Sequence, residues 1–88
     1  MSINRRAAKR DANEREIIDA LESVGASVEQ LDKFDLVVGY RGINYLLEVK
    51  DIGGRLTASQ RKYSDEWRGQ YAIVWTVEEA LQAIGAID

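Results

Sequence analysis

Two apolar, β-branched segments, at residues 34–40 and 43–50, are separated only by Arg41 and Gly42, and this arrangement constrains the fold more than any other feature of the chain. Segments of this kind joined by a two-residue turn with glycine are typical of a β-hairpin. The turn of a hairpin sets which residues face each other. A turn of odd length would instead move every side chain of one strand to the other face.

The register of this hairpin decides which side chains share a face of the sheet. Tyr40 pairs with Ile43 if the turn has two residues, so counting outward places Asp35 directly opposite Glu48. Lys50 lies two residues beyond Glu48 and projects from the same face. Two opposed carboxylates repel each other unless a cation or the Lys50 ammonium group neutralises them. The alternative is an exposed face on which the acidic pair only solvates the sheet.

The remaining segments predict the element order αβββαβα in one domain covering residues 1–88. A helix is predicted at about residues 4–24, a short strand at 27–30 and a flexible loop at 51–54. A capping box at 57–60 predicts a helix that ends near Arg68, and residues 71–75 predict a strand buried on both faces. A second capping box at 76–79 predicts a final helix that ends near Gly85. The apolar side of the hairpin predicts the core: Leu36, Val38, Tyr45, Leu47 and Val49.

The composition excludes several classes of protein. The chain has no Cys and no His, so it lacks the ligands of most zinc sites and the commonest general base. Hydrolytic chemistry would therefore use carboxylates, lysine, hydroxyls or a hard cation with oxygen ligands, such as Mg²⁺ or Mn²⁺. No apolar run approaches the roughly 20 residues that span a bilayer. The basic N-terminus lacks the apolar segment of a secretion signal, so we expect an intracellular, cytoplasmic protein.

The charge of the chain is unevenly distributed around a net value of −3. Basic residues occur near the N-terminus and again in the second half, where they either solvate the surface or contact phosphates. The two interpretations are about equally favoured by the sequence. The predicted contacts with nucleic acid are Arg5, Arg6, Lys9, Arg10, Arg55, Arg61 and Lys62.

Two polar side chains lie on the apolar stripes of predicted helices. Glu14 precedes Ile17 and Ile18 by three and four residues, and Gln60 shares a stripe with Tyr63 and Trp67, which are predicted core residues. A polar group in such a position needs a partner. Glu14 could reach water at the edge of its stripe. Gln60 could serve only as the capping residue of its own helix.

Four segments in this order resemble the PD-(D/E)XK nuclease superfamily, and within it the VRR-NUC domains and the archaeal-type Holliday junction resolvases. They are EREII at 14–18, DLVV at 35–38, LEVK at 47–50 and LTASQ at 56–60. The resemblance covers nearly the whole chain. It implies an α/β fold with an αβββαβ restriction-endonuclease-like core, a mixed sheet flanked by helices, and an additional C-terminal helix. The chain departs from the family name at Phe34, which stands where the proline would be.

The resemblance also implies a metal site. Asp35 and Glu48 would ligate Mg²⁺ or Mn²⁺ together with the main-chain carbonyl of Val49. Glu14 would contact the metal directly or through water. A bound divalent cation lowers the pKa of its water and holds the phosphate, so a chain without histidine could still hydrolyse a phosphodiester.

The remaining implied roles concern catalysis and substrate. Lys50 would orient or activate the attacking water and stabilise charge on the phosphate, and Gln60 would help to position the site. The implied activity is a metal-dependent endonuclease, acting as a homodimer on branched DNA such as a Holliday junction. The alternatives are a catalytically silent nuclease-like module that binds nucleic acid or protein, and a small interaction domain in which the acidic pair is incidental.

Overall fold

The computed structural model describes residues 12–88. The elements are α1 (Glu14–Ser23), β1 (Ser27–Gln30), β2 (Leu36–Tyr40), β3 (Ile43–Val49), α2 (Ala58–Glu66), β4 (Tyr71–Val74) and α3 (Val77–Ala83). The strands form one sheet in the order β1-β2-β3-β4, in which β3 and β4 are parallel and the other neighbours are antiparallel. The predicted α/β class, with a mixed sheet flanked by helices, is confirmed. No helix within residues 12–88 is long and apolar enough to span a bilayer.

The hairpin of β2 and β3 has the predicted register along its whole length. Arg41 and Gly42 both have positive φ, at 53° and 82°, as a two-residue type I′ turn requires. Strand β2 begins at Leu36, one residue after Asp35. Continuing the register by that one residue places Asp35 opposite Glu48, so the turn length carries the two carboxylates to the same face.

One face of the sheet carries the main hydrophobic core, and α1 and α3 cover it. The apolar side chains predicted for this face are buried, except that Tyr45 is only half-buried. Apolar residues of both helices complete the core. The buried apolar residues are Ile17, Ile18, Leu21, Ala26, Leu36, Val38, Leu47, Val49, Val74, Ala80 and Ile84. The opposite face, which carries the acidic pair, lies towards α2.

Within the described residues, the first helix begins later than the periodicity predicts. It begins at Glu14, and the preceding Ala12 and Asn13 lie in a turn. The predicted part at residues 4–11 lies outside the described residues. The predicted cap at Gly25 is confirmed, because its φ of +93° allows the left-handed conformation in which the last carbonyls of the helix are satisfied.

Three predictions for the second half of the chain are wrong. Helix α2 ends at Glu66 rather than near Arg68, because Trp67 has an extended backbone with ψ of 129°. The indole of Trp67 is 44% exposed rather than buried in the core. Strand β4 ends at Val74 and is mostly half-buried, because it lies at an edge of the described sheet.

The capping boxes form one completely and one in part. In α2, Thr57 accepts the Gln60 N–H and Gln60 accepts the Thr57 N–H, as predicted. In α3, Thr76 accepts the Glu79 N–H at 3.0 Å. The Glu79 carboxylate, however, accepts the N–H of Trp75 at 2.7 Å instead of that of Thr76. The second capping box is therefore incomplete, because the Glu79 carboxylate pairs with the residue before Thr76 and not with Thr76 itself.

Candidate functional site

Asp35 is held at the point where β2 meets the end of β3. Its Oδ2 accepts the main-chain N–H of Val49 at 2.7 Å. Its own carbonyl accepts the N–H of Leu31 at 2.9 Å, which closes the loop before β2. Main chain and side chain are thus both fixed, so the carboxylate of Asp35 is oriented towards β3.

The direction of the Val49 carbonyl follows from the same hydrogen bond. In an extended strand the N–H and C=O of one residue project to the same side, and those of the next residue project to the other. The Val49 N–H points to Asp35, so the Val49 carbonyl projects to that side as well. The Lys50 N–H points the other way and donates to Val74 O at 3.0 Å. The predicted main-chain ligand therefore lies on the same side of β3 as the Asp35 carboxylate.

Glu48 is a buried carboxylate, with only 4% of the residue exposed. Burial, the charge of Asp35 and a hydrogen bond with Asp35 raise the pKa of Glu48 to about 7, against the opposing effects of Gln60 and Lys50. The interaction with Asp35 bears out the prediction that the two carboxylates are neighbours. Because they repel when both are charged, the pair has a strong tendency to bind a proton or a cation.

Lys50 supplies a positive charge that acts on Glu48 and favours its ionised form. Its aliphatic part packs near Gly54, where an added Cβ would lie 3.6 Å from Lys50 Cε and 3.0 Å from the Asp51 carbonyl. The loop predicted to be flexible contains a hydrogen-bonded turn, in which the Gly54 N–H donates to Asp51 O at 2.8 Å. A larger residue would have to displace the Asp51 carbonyl slightly, so the turn helps to define the space that Lys50 occupies.

Gln60 has both of the roles that the sequence left open. Its Oε1 accepts the Thr57 N–H at 3.0 Å and completes the cap of α2. Its Nε2 lies 3.4 Å from Glu48 Oε1, a long hydrogen bond that links α2 to the acidic pair. One side chain therefore fixes the start of a helix and orients a buried carboxylate.

These two roles can be separated by substitution. Thr57→Ala removes the cap but leaves the Gln60 amide, so we expect a loss of about 1 kcal/mol in the free energy of unfolding and little change in the DNA cleavage that the family resemblance implies. Gln60→Glu keeps an acceptor for the cap but adds a third carboxylate beside Glu48, so we expect cleavage to fall about tenfold with a smaller loss of stability. Urea unfolding and initial cleavage rates measure the two effects. Equal cleavage by wild type and Gln60→Glu would contradict a role for Gln60 at the site.

Glu14 lies in the first turn of α1 and is 3% exposed, as its position on the apolar stripe predicts. Among residues 12–88, no three or more His, Cys, Asp and Glu side chains are grouped to hold a metal ion. Contact between Glu14 and a metal therefore stays a prediction.

The donor atoms at Asp35 and Glu48 fit a hard cation. Two carboxylates and the carbonyl of Val49 are all oxygen donors, and Mg²⁺ characteristically binds through one or two carboxylates and retains several waters. Glu48 is buried and faces Asp35, so its ionised form is disfavoured unless a cation neutralises it. The arrangement thus suits Mg²⁺ or Mn²⁺ better than a metal that prefers nitrogen or sulfur.

Phe34 anchors the loop before β2, which contains Asp35, to the rest of the molecule. The sequence did not reveal this role. Its ring makes edge contacts with Tyr63, Trp67 and Tyr71, at centroid distances of 5.2, 5.4 and 5.9 Å. These rings come from α2, from the residue that follows it, and from β4. The residue directly before Asp35 is therefore held by aromatic packing.

Tyr71 is a second residue that the sequence did not single out. The β3–β4 register places it opposite Leu46, so its side chain projects from the same face as Glu48. Its hydroxyl is buried and interacts with Glu48, although it makes no hydrogen bond of standard geometry to the described residues. Burial, followed by the charges of Glu48 and Asp35, raises its pKa. The phenol therefore borders the acidic pair in its neutral form.

Asn13 is a third such residue. Its side-chain amide donates to the main-chain carbonyls of Lys50 at 3.1 Å and Trp75 at 2.9 Å. The sequence pattern placed Asn13 inside a long helix and so concealed it. If the helix had been predicted to begin at Glu14, Asn13 would have stood out as its N-cap residue.

The basic residues that are predicted to contact nucleic acid are not among the contacts described above. Arg55, Arg61 and Lys62 are exposed. The N-terminal residues predicted to contact nucleic acid, Arg5, Arg6, Lys9 and Arg10, lie outside the described residues. Contact of any of these side chains with DNA stays a prediction.

Comparisons with protein families, with curated proteins and with solved structures find no match to this chain. A proposal for its function therefore rests on its own residues and on the motifs that they form. These residues supply two neighbouring carboxylates, one main-chain oxygen and one ammonium group where β3 ends beside β4.

Proposed function

We propose that this chain is a Mg²⁺- or Mn²⁺-dependent endonuclease that hydrolyses DNA phosphodiester bonds, with a core of the PD-(D/E)XK type. The observation that carries the proposal is a buried carboxylate opposed to a second one. Glu48 is 4% exposed and faces the half-buried Asp35, whose carboxylate is held by the Val49 N–H at 2.7 Å. Lys50, which directly follows the last residue of β3, supplies the positive charge that accompanies such a pair in this superfamily.

Burial argues against the alternative of a solvated hairpin face. A carboxylate that only solvates a sheet gains nothing from being removed from water, and burial without a cation disfavours its charged form. The chain nevertheless places Glu48 almost entirely inside, opposite a second acid. Such an arrangement is expected at sites that bind a ligand or perform chemistry.

The protein groups divide the chemistry between them. Asp35, Glu48 and the Val49 carbonyl would hold a divalent cation, which would supply a water of lowered pKa and neutralise charge on the phosphate. Lys50 would orient the attacking water and stabilise the negative charge that develops on the phosphate oxygens. Gln60 holds the Glu48 carboxylate from the α2 side.

The finer parts of the proposal come from the resemblance to VRR-NUC domains and Holliday junction resolvases. The substrate is branched DNA, and the chain acts as a homodimer so that two sites cut two strands. The exposed basic residues Arg55, Arg61 and Lys62 would contact the phosphate backbone. A cytoplasmic location belongs to the same proposal.

Cleavage assays on linear, flap and four-way-junction DNA test the proposal. We expect the wild type to cut at least one of these with Mg²⁺ or Mn²⁺ and to stop when the metal is chelated. Lys50→Ala and Glu48→Ala should each lose cleavage, whereas Glu29→Ala, which removes an exposed carboxylate from β1, should retain it. If the wild type cuts no substrate, or if the two site variants cut as fast as the wild type, the chain is not an enzyme of this kind.

A further inference from the structure

Asn13 occupies the N-cap position of α1 but does not cap the helix. Asparagine is among the best N-cap residues, because its side-chain oxygen accepts an N–H of the first turn. Here the side chain makes no such hydrogen bond. Its Nδ2 instead donates to Lys50 O at 3.1 Å and to Trp75 O at 2.9 Å, which lie 37 and 62 residues away in the chain. The side chain thus serves a tertiary contact at the expense of a local one.

The two carbonyls mark the carboxyl ends of the parallel strands β3 and β4. Lys50 and Trp75 each follow directly on the last residue of a strand. The Lys50 N–H already donates to Val74 O at 3.0 Å. With its carbonyl held by Asn13, Lys50 has both of its main-chain polar groups fixed on the β4 side. The direction of its Cα–Cβ bond, and so the origin of its side chain, is thereby set.

The same contact ties the start of α1 to the site. Glu14 follows Asn13 directly and begins the helix. The contact that holds α1 against the strand ends therefore lies one residue before Glu14. One amide links two elements from which the proposed catalytic residues project.

The remaining polar atom of the Asn13 side chain is its amide oxygen. The Oδ1 of Asn13 is buried and has no hydrogen-bond partner among the described residues. Native proteins pair most buried polar atoms, and the exceptions call for an explanation. A serine or an aspartate would cap the helix, and neither would leave this amide oxygen unpaired. The chain keeps a side chain that can donate two hydrogen bonds at once.

We propose that Asn13 is a positioning residue of the nuclease site, which holds the end of β3 so that Lys50 reaches the Asp35–Glu48 pair. This inference rests on the proposed function. Asn13 touches neither substrate nor metal, and it acts through the main chain of Lys50. Its loss misplaces the ammonium group without removing it.

Asn13→Ser tests this role without weakening the start of α1. Serine caps a helix well but cannot bridge the two carbonyls, so the helix start is maintained while the bridge is lost. We expect kcat for DNA cleavage to fall about 10- to 100-fold, with KM within about threefold of the wild-type value and an unchanged thermal midpoint. The kcat of Asn13→Asp, which keeps the size of the side chain but loses the donor, should fall at least as far. Asn44→Ser, at an exposed position of the hairpin, is the matched control and should cleave normally.

Hydrogen exchange gives a second measurement that does not depend on cleavage. The amide of Lys50 should exchange at least about tenfold faster in Asn13→Ser, because the strand end that it belongs to is less constrained. Unchanged exchange would overturn the inference, whether or not the protein is a nuclease. Faster exchange with an unchanged kcat would also overturn it, because the bridge would then be structural only. A wild type that cuts nothing removes the proposed function and this inference with it.

Discussion

Replacing Glu48 with glutamine is expected to lower kcat for DNA cleavage at least about 10³-fold while the protein remains folded. Glutamine has nearly the size of glutamate and can still accept a hydrogen bond from Gln60, so the packing around the position is preserved. What is lost is the negative charge that a divalent cation needs. The free energy of unfolding should rise at neutral pH, because a buried charge facing Asp35 has been removed.

This combination of results separates the competing interpretations. An incidental acidic pair also predicts greater stability on neutralisation, but it predicts no loss of function. Cleavage and urea unfolding should therefore be measured on the same preparations. Glu29→Gln, at an exposed position of β1, is the matched control and should change neither quantity much. If Glu48→Gln cleaved as fast as the wild type, the carboxylate would have no part in the chemistry.

Without divalent cations, the contribution of Glu48 to the free energy of unfolding is expected to fall by about 2–3 kcal/mol as pH rises from about 4 to about 8. The pKa of Glu48 is raised from 4.5 to about 7 in the folded protein. The folded state therefore holds its proton more tightly than the unfolded state. The stabilisation is fully present below pH 4.5 and is lost as pH rises through 7.

The measurement is urea unfolding at several pH values, with a chelator present, for wild type and Glu48→Gln. Other carboxylates contribute to both proteins, so the difference between the two curves isolates Glu48. We expect the free energy of unfolding of the variant, relative to that of the wild type, to increase as pH rises. Saturating Mg²⁺ or Mn²⁺ should restore the stability of the wild type near pH 8 by binding its folded state. A difference that stays constant across this pH range would show that Glu48 has an ordinary pKa.

The hairpin could be predicted from the sequence because its determinants are local. A two-residue turn fixes the register, and period-two alternation then assigns every side chain to a face. Asp35, Glu48 and the core residues Leu36 and Leu47 followed directly. The inward position of Gln60 followed for a similar reason, since helical spacing places it on one stripe with Tyr63.

The parts that could not be predicted depend on contacts between distant segments. Asn13 contacts Lys50 only because the strand ends at Lys50 and Trp75 lie beside it in the fold. The apolar sequence of β4 indicates burial, but how deeply a strand is buried depends on its place in the sheet. Trp67 matched the helical stripe, yet the helix ends just before it. Periodicity describes a face and does not show what covers that face.

The Asp35–Glu48 pair either binds a divalent cation or does not, and manganese titration followed by NMR distinguishes the two cases. Paramagnetic Mn²⁺ broadens the resonances of nuclei near its binding site. Substoichiometric Mn²⁺ should broaden the amides of Asp35, Glu48, Val49 and Lys50 in the wild type, and should leave them sharp in Glu48→Gln. Sharp resonances at these positions in the wild type, or broadening only around exposed acids such as Glu78, would contradict a metal-dependent nuclease centre.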